Sequence, residues 1–202
     1  MTTVVAYQGE PGAFSEMAII ALLAGEAEPL PCASFSDVIA AVESGAADLG
    51  LLPTENSIAG RVGDSVAAIE HSVLEVAGTT SLPIHLSLLA PPGATLESIR
   101  SVESHPVALR QCGNFLEAHP GMVSRASYDT AGAAREVAAS ADATRGAIAS
   151  ARAGELHGLV VLATGLEDRT DNVTHFAIVA RDASRIRLSA LAGRRTAANL
   201  ER

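Results

Sequence analysis

The chain has 202 residues, of which 48% are hydrophobic, so it can bury a core in one domain or in two small lobes. Its formal charge is −9, it contains no lysine, and only 3% of its residues are aromatic. These values argue against a nucleic-acid partner, but they are compatible with a small anionic ligand held by arginines, helix N-termini and backbone amides.

The cysteines and the apolar runs predict the compartment. Cys32 and Cys112 are too few for a disulfide framework and are expected to be reduced thiols. The start, MTTVVAYQGEPG, lacks the basic and apolar regions of an export signal, and runs such as AIIALLA are too short to span a bilayer. We therefore expect a cytoplasmic protein without a membrane partner.

Strand and helix signals alternate along the chain, which predicts an α/β protein with largely parallel sheets. A strand is predicted in TTVVAYQG, followed by a helix in GAFSEMAIIALLAG that ends at Gly25. The next helix lies in FSDVIAAVESG, with Ser36 or Asp37 as N-cap and Gly45 as its end. A buried strand follows in ADLGLLP, so the loops GEPG and PTENS should leave this unit at one edge.

A weak internal repeat predicts two similar lobes with a cleft between them. The stretch AAVESGAADLGLLPTEN resembles REVAASADATRGAIASARA, since each has a helix, a small turn, a strand and a polar exit. We expect the chain to cross between lobes near TTSLPIHLSLLAPPG and again after GLVVLATGL. Lobe 1 is predicted at about 1–82 plus a C-terminal return segment, and lobe 2 at about 83–165. The Arg-rich tail, 182–202, is predicted to be a surface helix or a disordered end.

Two glycine-containing loops are candidate ligand sites. Gly9 and Gly12 precede a helix start that could receive an anion, although a tight turn with a cap explains them at least as well. Glu55, Asn56 and Ser57 follow an apolar strand, where α/β proteins collect ligand-binding groups, although a helix cap is the alternative.

Two further polar exits lie in the second half of the chain. In VESHPVALRQC, Gln111 or Arg110 could face a ligand, whereas His105 is more often a capping or packing residue and Cys112 a small buried one. In SYDTAGAAREVA, Asp129 or Thr130 is the expected N-cap, and plain capping is slightly favoured over carboxylate binding. The six histidines lack HxH or HxxxH spacing, so no metal is predicted.

In this order, the stretches resemble the prephenate dehydratase family over about residues 4–181. YQGEPGAFSEMA resembles the family's opening glycine-rich motif, and TENSIAGRV resembles its ENS motif. SHPVALRQC, YDTAGAA, the AIAS…ELHGL run and NVTHF match later segments. The resemblance implies a two-lobed fold similar to type II periplasmic-binding-protein lobes, a cleft active site, no cofactor and a homodimer.

The resemblance also implies the roles of individual residues. Thr174 corresponds to the catalytic threonine of a reaction that converts prephenate to phenylpyruvate in phenylalanine biosynthesis. The expected substrate-binding residues are Asn56, Ser57, Glu55, Gln111, Ser104, Thr130, His175 and Phe176. Asn56 and Gln111 match substrate-contacting positions, and the others lie in the same motifs.

The chain departs from the family pattern at two positions and at its end. His175 replaces the arginine of Thr-Arg-Phe, which should weaken anion binding unless the side chain points away from the cleft. Val107 replaces the glutamine of SHPQ. Nothing in the tail resembles an ACT regulatory domain, so feedback inhibition by phenylalanine through such a domain is not expected. The alternatives to a dehydratase are a non-aromatising prephenate decarboxylase and a non-catalytic two-lobed binding module.

Overall fold

The computed structural model describes residues 2–23 and 26–185. The strands are β1 Thr3–Gln8, β2 Ala27–Cys32, β3 Leu49–Asn56, β4 Gly60–Arg61, β5 Glu75–Pro83, β6 Ser87–Ala90, β7 Ser101–Ser104, β8 Val123–Ala126, β9 Arg145–Ala149, β10 Val160–Thr164 and β11 Val173–Ala180. The helices are α1 Phe14–Leu23, α2 Phe35–Ser44, α3 Gly63–Glu70, α4 Pro106–Gln111, α5 Gly113–Ala118, α6 Thr130–Ser140 and α7 Ala151–His157. Short 3-10 turns span Leu96–Ser98 and Ala183–Arg185.

The strands form two mixed sheets with matching order. The first runs β2-β1-β3-β11-β5, with β4 paired to β3, and the second runs β10-β6-β9-β7-β8. In each sheet three neighbouring strands are parallel, and the next two strands are antiparallel to their neighbours. The prediction of largely parallel sheets was therefore wrong, because β6 and β11 each run antiparallel to both of their neighbours.

The internal repeat corresponds to a repeated structural unit. Helix α2 leads into β3, the inner parallel strand of the first sheet, and α6 leads into β9, the inner parallel strand of the second. Alternating polar and apolar positions do not explain these strands, because Leu49 to Leu52 and Gly146 to Ala149 are buried throughout. Strands covered on both faces are continuous apolar runs, as these are.

Two segments connect the sheets. After β5 the chain passes through residues 84–86 into β6, and after β10 it returns through residues 165–172 to β11. The segments meet where the Ile84 amide donates to the Asn172 carbonyl at 2.8 Å. We propose that the two sheets and their helices are two lobes, with β11 as the return segment of the first.

The loop between β1 and α1 packs against the second lobe. Ser150 Oγ donates to the Gly12 carbonyl oxygen at 2.6 Å, and the Gly12 amide donates to Glu16 Oε2 at 2.5 Å. Arg152 of α7 approaches Glu16 at 3.4 Å, so a buried carboxylate also joins the lobes. The cleft between the sheets is therefore closed at this side by packing and ionic contacts.

Some of the predicted helix ends agree with the structure and others do not. Ser34, rather than Ser36 or Asp37, caps α2 by accepting a hydrogen bond from the Asp37 amide, because the helix begins at Phe35, two or three residues earlier than those caps imply. Gly45 ends this helix with φ 84°, as predicted, and Asp129 caps α6. The predicted end of α1 at Gly25 and most of the predicted tail, from 186 onward, lie outside the described residues.

No helix in the described part of the chain is long and apolar enough to cross a membrane. Cys112 is fully buried, and burial raises the pKa of its thiol to about 12, which agrees with its predicted role as a small apolar side chain.

Gly12→Ala tests the packing between the lobes. Gly12 has φ +91°, and a Cβ there would lie 2.8 Å from the Cα of Ala153, so alanine adds a backbone clash to the strain of a left-handed conformation. Gly93→Ala is the matched control, because Gly93 has φ +90° and open space around it. In urea unfolding, we expect the control to lose about 1 kcal/mol and Gly12→Ala at least about 2 kcal/mol. Equal losses would show that this loop tolerates displacement.

Candidate active site

A cleft of about 570 Å³ lies between the two sheets, and four helices begin at its walls. Phe14 and Ser15 line it at the start of α1, Ser34 and Phe35 at α2, His105 and Val107 at α4, and Asp129 and Thr130 at α6. The partial positive charge of helix N-termini therefore converges on the cleft, which favours anionic groups.

The glycine-rich loop does not itself offer amides to a ligand. The Gly9 amide donates to the Cys32 carbonyl at 3.1 Å, and the Gly12 amide donates to Glu16. Both glycines have positive φ, so the loop acts as the tight turn that was one alternative. The first-turn amides of α1, at Phe14 and Ser15, have no partner four residues earlier in the helix and are the better anion donors.

Thr174 faces the cleft from β11, next to Asn56 at the end of β3. Asn56 Nδ2 donates to Thr174 Oγ1 at 3.0 Å, and the two residues are paired in the antiparallel ladder. The threonine oxygen thus accepts a hydrogen bond, while no acceptor for its own proton lies among the described side chains and backbone groups. The hydroxyl is consequently free to donate into the cleft.

Three side-chain amides form a closed ring beside this threonine. Asn56 Nδ2 donates to Asn172 Oδ1 at 2.8 Å, Asn172 Nδ2 donates to Gln111 Oε1 at 3.2 Å, and Gln111 Nε2 donates to Asn56 Oδ1 at 3.3 Å. Asn56 Oδ1 also accepts from the amides of Ile58 and Ala59. The ring fixes the orientation of Asn56, and it joins both lobes because Gln111 ends α4.

The cleft thus gathers four of the residues predicted from sequence: Asn56, Gln111, Thr130 and Thr174. The other five predicted residues lie elsewhere. Phe176 is buried in the first core, and Ser104 Oγ donates to the Ile148 carbonyl beneath the second sheet. Ser57 Oγ donates to the Asp171 carbonyl and accepts from the Val173 amide, which ties β3 to the return segment. Glu55 is exposed on β3.

His175, which replaces the family's arginine, points to the opposite side of β11 from Thr174. It is exposed, and its Nδ1 lies 2.7 Å from Ser81 Oγ on β5. Neighbouring residues of a strand face opposite sides, so the cleft-lining position of Thr174 directs His175 away from it. The replacement therefore removes no cation from the cleft lining.

The cleft lining contains one carboxylate, that of Asp129, and neither arginine nor lysine among the described residues. Asp129 Oδ1 accepts from the amides of Ala131 and Gly132, as expected of a helix cap. Burial raises the pKa of this carboxyl group above the ordinary aspartate value, and the nearby Glu10 carboxylate raises it further. Arg135 of α6 contacts Glu10 at 3.7 Å and the hydroxyl group of Tyr128, a lining residue, at 3.0 Å.

Sequence reasoning missed Asn172. This residue is 1% exposed and does not line the cleft, so it acts through Asn56 and Gln111. Its position two residues before Thr174 in NVTHF was a usable signal, because a buried asparagine must find partners for its amide. Within the described residues, no three His, Cys, Asp or Glu side chains group as metal ligands would.

Comparisons with known proteins identify the family. The family model described as prephenate dehydratase matches residues 5–184. Arogenate dehydratase 1 of Petunia hybrida is 43% identical over 183 residues, which cover 88% of this chain and 42% of that protein. The chain therefore spans less than half the length of this relative.

Solved structures give the same assignment. The prephenate dehydratase of Arthrobacter aurescens, crystallised with L-Phe, is 30% identical with a TM-score of 0.83, and the match covers 89% of this chain and 61% of that one. A periplasmic substrate-binding protein of an ABC transporter from Coxiella burnetii has a TM-score of 0.50 at 13% identity, over 95% of this chain and 90% of that one. The latter shows the fold alone, and it supports the type II periplasmic-binding-protein-like architecture expected from the sequence. The chain belongs to the prephenate dehydratase family.

Proposed function

We propose that this chain catalyses the decarboxylating dehydration of prephenate to phenylpyruvate, or the same reaction of its amino counterpart arogenate. The observation that supports this proposal most is the position of the Thr174 hydroxyl group. It faces the cleft, its oxygen accepts a hydrogen bond from Asn56, and its proton is free to donate. Family membership supports the reaction class, and the catalytic assignment of Thr174 follows the family motif.

The reaction requires the protein to supply one proton to the leaving hydroxyl group. The ring carboxylate leaves as carbon dioxide, and the electron pair of its broken bond forms a ring double bond as the hydroxyl across the ring departs. Thr174 donates its proton to that hydroxyl, so that it leaves as water, and solvent later returns the proton. The hydrogen bond from Asn56 Nδ2 stabilises the negative charge that develops on Thr174 Oγ1, as a fixed donor should.

Helix N-termini and the apolar part of the cleft lining would bind the substrate. The first-turn amides of α1 would receive a substrate carboxylate, because the lining supplies no arginine or lysine. Apolar side chains from both lobes would enclose the ring: Phe14, Phe35, Val62, Ile84, Leu86 and Val107. Restricting water and orienting the ring lower the barrier without a cofactor.

A non-aromatising decarboxylase is the second candidate. Val107 lines the cleft where the family pattern has a glutamine, so one polar group is missing from the wall. A decarboxylase needs no acid for the leaving hydroxyl, however, and the free proton of Thr174 favours the dehydratase. We further propose a homodimer in the cytoplasm, as the family resemblance implies.

Thr174→Val should lower kcat by about 10²-fold or more, because an isosteric methyl group cannot protonate the leaving hydroxyl. The dissociation constant for substrate should change little, since the shape of the cleft is kept. Thr79→Val is the matched control, because Thr79 is exposed on β5, away from the cleft. Retained kcat in the Thr174 variant would remove this residue from the mechanism, whereas binding without turnover in the unaltered protein would identify a binding module.

Asn172→Ala should open the amide ring. It removes the acceptor that lies 2.8 Å from Asn56 Nδ2, which can then turn only to the longer contact with the Val173 carbonyl at 3.3 Å, and it leaves Gln111 Oε1 without its donor. We therefore expect a loss of about 1–3 kcal/mol in unfolding free energy. Asn172 positions Asn56, so kcat should fall further than KM rises. Asn114→Ala, at an exposed position on α5, is the control and should leave both quantities unchanged. A variant with lowered stability and unchanged kcat would reduce Asn172 to a structural role.

His175→Ala should change kcat/KM by no more than about twofold, as expected of an exposed side chain outside the cleft. Steady-state kinetics at neutral pH suffice for the test. A loss of about tenfold or more would show that the imidazole reaches the substrate after all, in place of the family's arginine.

A further inference from the structure

The single carboxylate of the cleft has an oxygen that the fold does not use. Asp129 Oδ1 caps α6 through two backbone amides, whereas no hydrogen bond to Oδ2 is found among the described residues. This oxygen lies where the lobes meet, because a Cβ built on Gly9 of the first lobe would be 3.3 Å from it. Asp129 thus presents a half-buried negative oxygen at the junction of the cleft walls.

No arginine of the described residues forms an ion pair with this oxygen. Arg135 and Arg152 are paired with other carboxylates, Arg135 with Glu10 and Arg152 with Glu16. Burial raises the pKa of Asp129, and the two capping amides and the His105 imidazole oppose this rise only in part. The imidazole of His105 is the one titratable group of opposite sign on the lining, and its Nδ1 accepts from the Val107 amide.

A substrate with a positive group would complete the site. Prephenate brings two carboxylates and a keto oxygen, and any of these beside Asp129 would place like charges or lone pairs together at a partly desolvated position. Arogenate has an ammonium group in place of the keto oxygen, and an ammonium has three donors for a carboxylate. Its carboxylates would remain for the helix N-termini.

We propose that Asp129 Oδ2 binds the substrate ammonium group, so that the cleft prefers arogenate over prephenate. This inference rests on the proposed function and specifies its substrate. The two oxygens of Asp129 then have different roles: Oδ1 caps α6, and Oδ2 selects the amino substrate. The choice between the substrates depends on charge, because the ring and the hydroxyl are the same in both.

Asp129→Asn separates the two tasks, because asparagine is an equally good N-cap and lacks the charge. With arogenate, we expect kcat/KM to fall at least about 30-fold, as for the loss of one member of a desolvated ion pair. With prephenate, kcat/KM should stay the same or rise. Asp129→Ser, another neutral cap, should behave alike, and Glu136→Gln, which removes a charge from the exposed face of the same helix, should alter neither substrate.

The outcomes distinguish this inference from the proposed function. Turnover of arogenate above prephenate by the unaltered chain, with a selective loss in both Asp129 variants, supports it. An equal loss with both substrates, or a preference of the unaltered chain for prephenate, overturns it and leaves the dehydratase intact. Absence of turnover with either substrate overturns the proposed function itself, and the inference with it.

Discussion

The ring of three side-chain amides is the interaction on which the rest of the site depends. Asn56 comes from the end of a strand in the first lobe, Gln111 from the end of a helix in the second, and Asn172 from the segment that returns between them. Each amide uses its oxygen and one or more of its protons within the ring, so a change in any member removes hydrogen bonds from the other two. The ring therefore couples the closed arrangement of the lobes to the orientation of Asn56.

The orientation of Asn56 sets the chemistry of Thr174. A threonine hydroxyl can donate or accept, and in water it is a feeble acid. Here its oxygen accepts one hydrogen bond from the Asn56 amide, its own proton is available for donation toward the cleft, and the same amide supports the charge left behind. In the proposed mechanism Thr174 is the acid, and the pairing of β11 with β3 places it beside Asn56, because the two residues are opposite each other in the sheet.

The described lining of the cleft contains neither arginine nor lysine. Helix N-termini converge on it, and Arg135 and Arg152 are paired with Glu10 and Glu16. Such a site tolerates the chain's acidic composition, because backbone dipoles rather than lysine or arginine supply the positive potential. Asp129 can therefore have a large effect on substrate preference, since a single carboxylate beside helix N-termini favours a substrate that carries a positive group.

The sequence predicted the parts of this structure that local patterns encode. The apolar run before Asn56 indicated a buried strand with a polar exit, and the repeat of helix, turn and strand indicated two similar lobes. It did not predict the direction of β11, because strand direction is set by the connection through residues 165–172. The ordered motifs identified Thr174 as the catalytic position but placed His175 in the same site, and they did not show that Asn172, distant from Gln111 in sequence, would close the ring with it.

The most direct test of the central claim is mass-resolved product analysis of the purified chain with prephenate and with arogenate at neutral to mildly basic pH. An enzyme-free control is needed, because acid aromatises prephenate spontaneously. Our account predicts aromatic products that have lost both carbon dioxide and water. A non-aromatic product that has lost carbon dioxide alone would contradict it, since the proton of Thr174 would then have no leaving group to protonate.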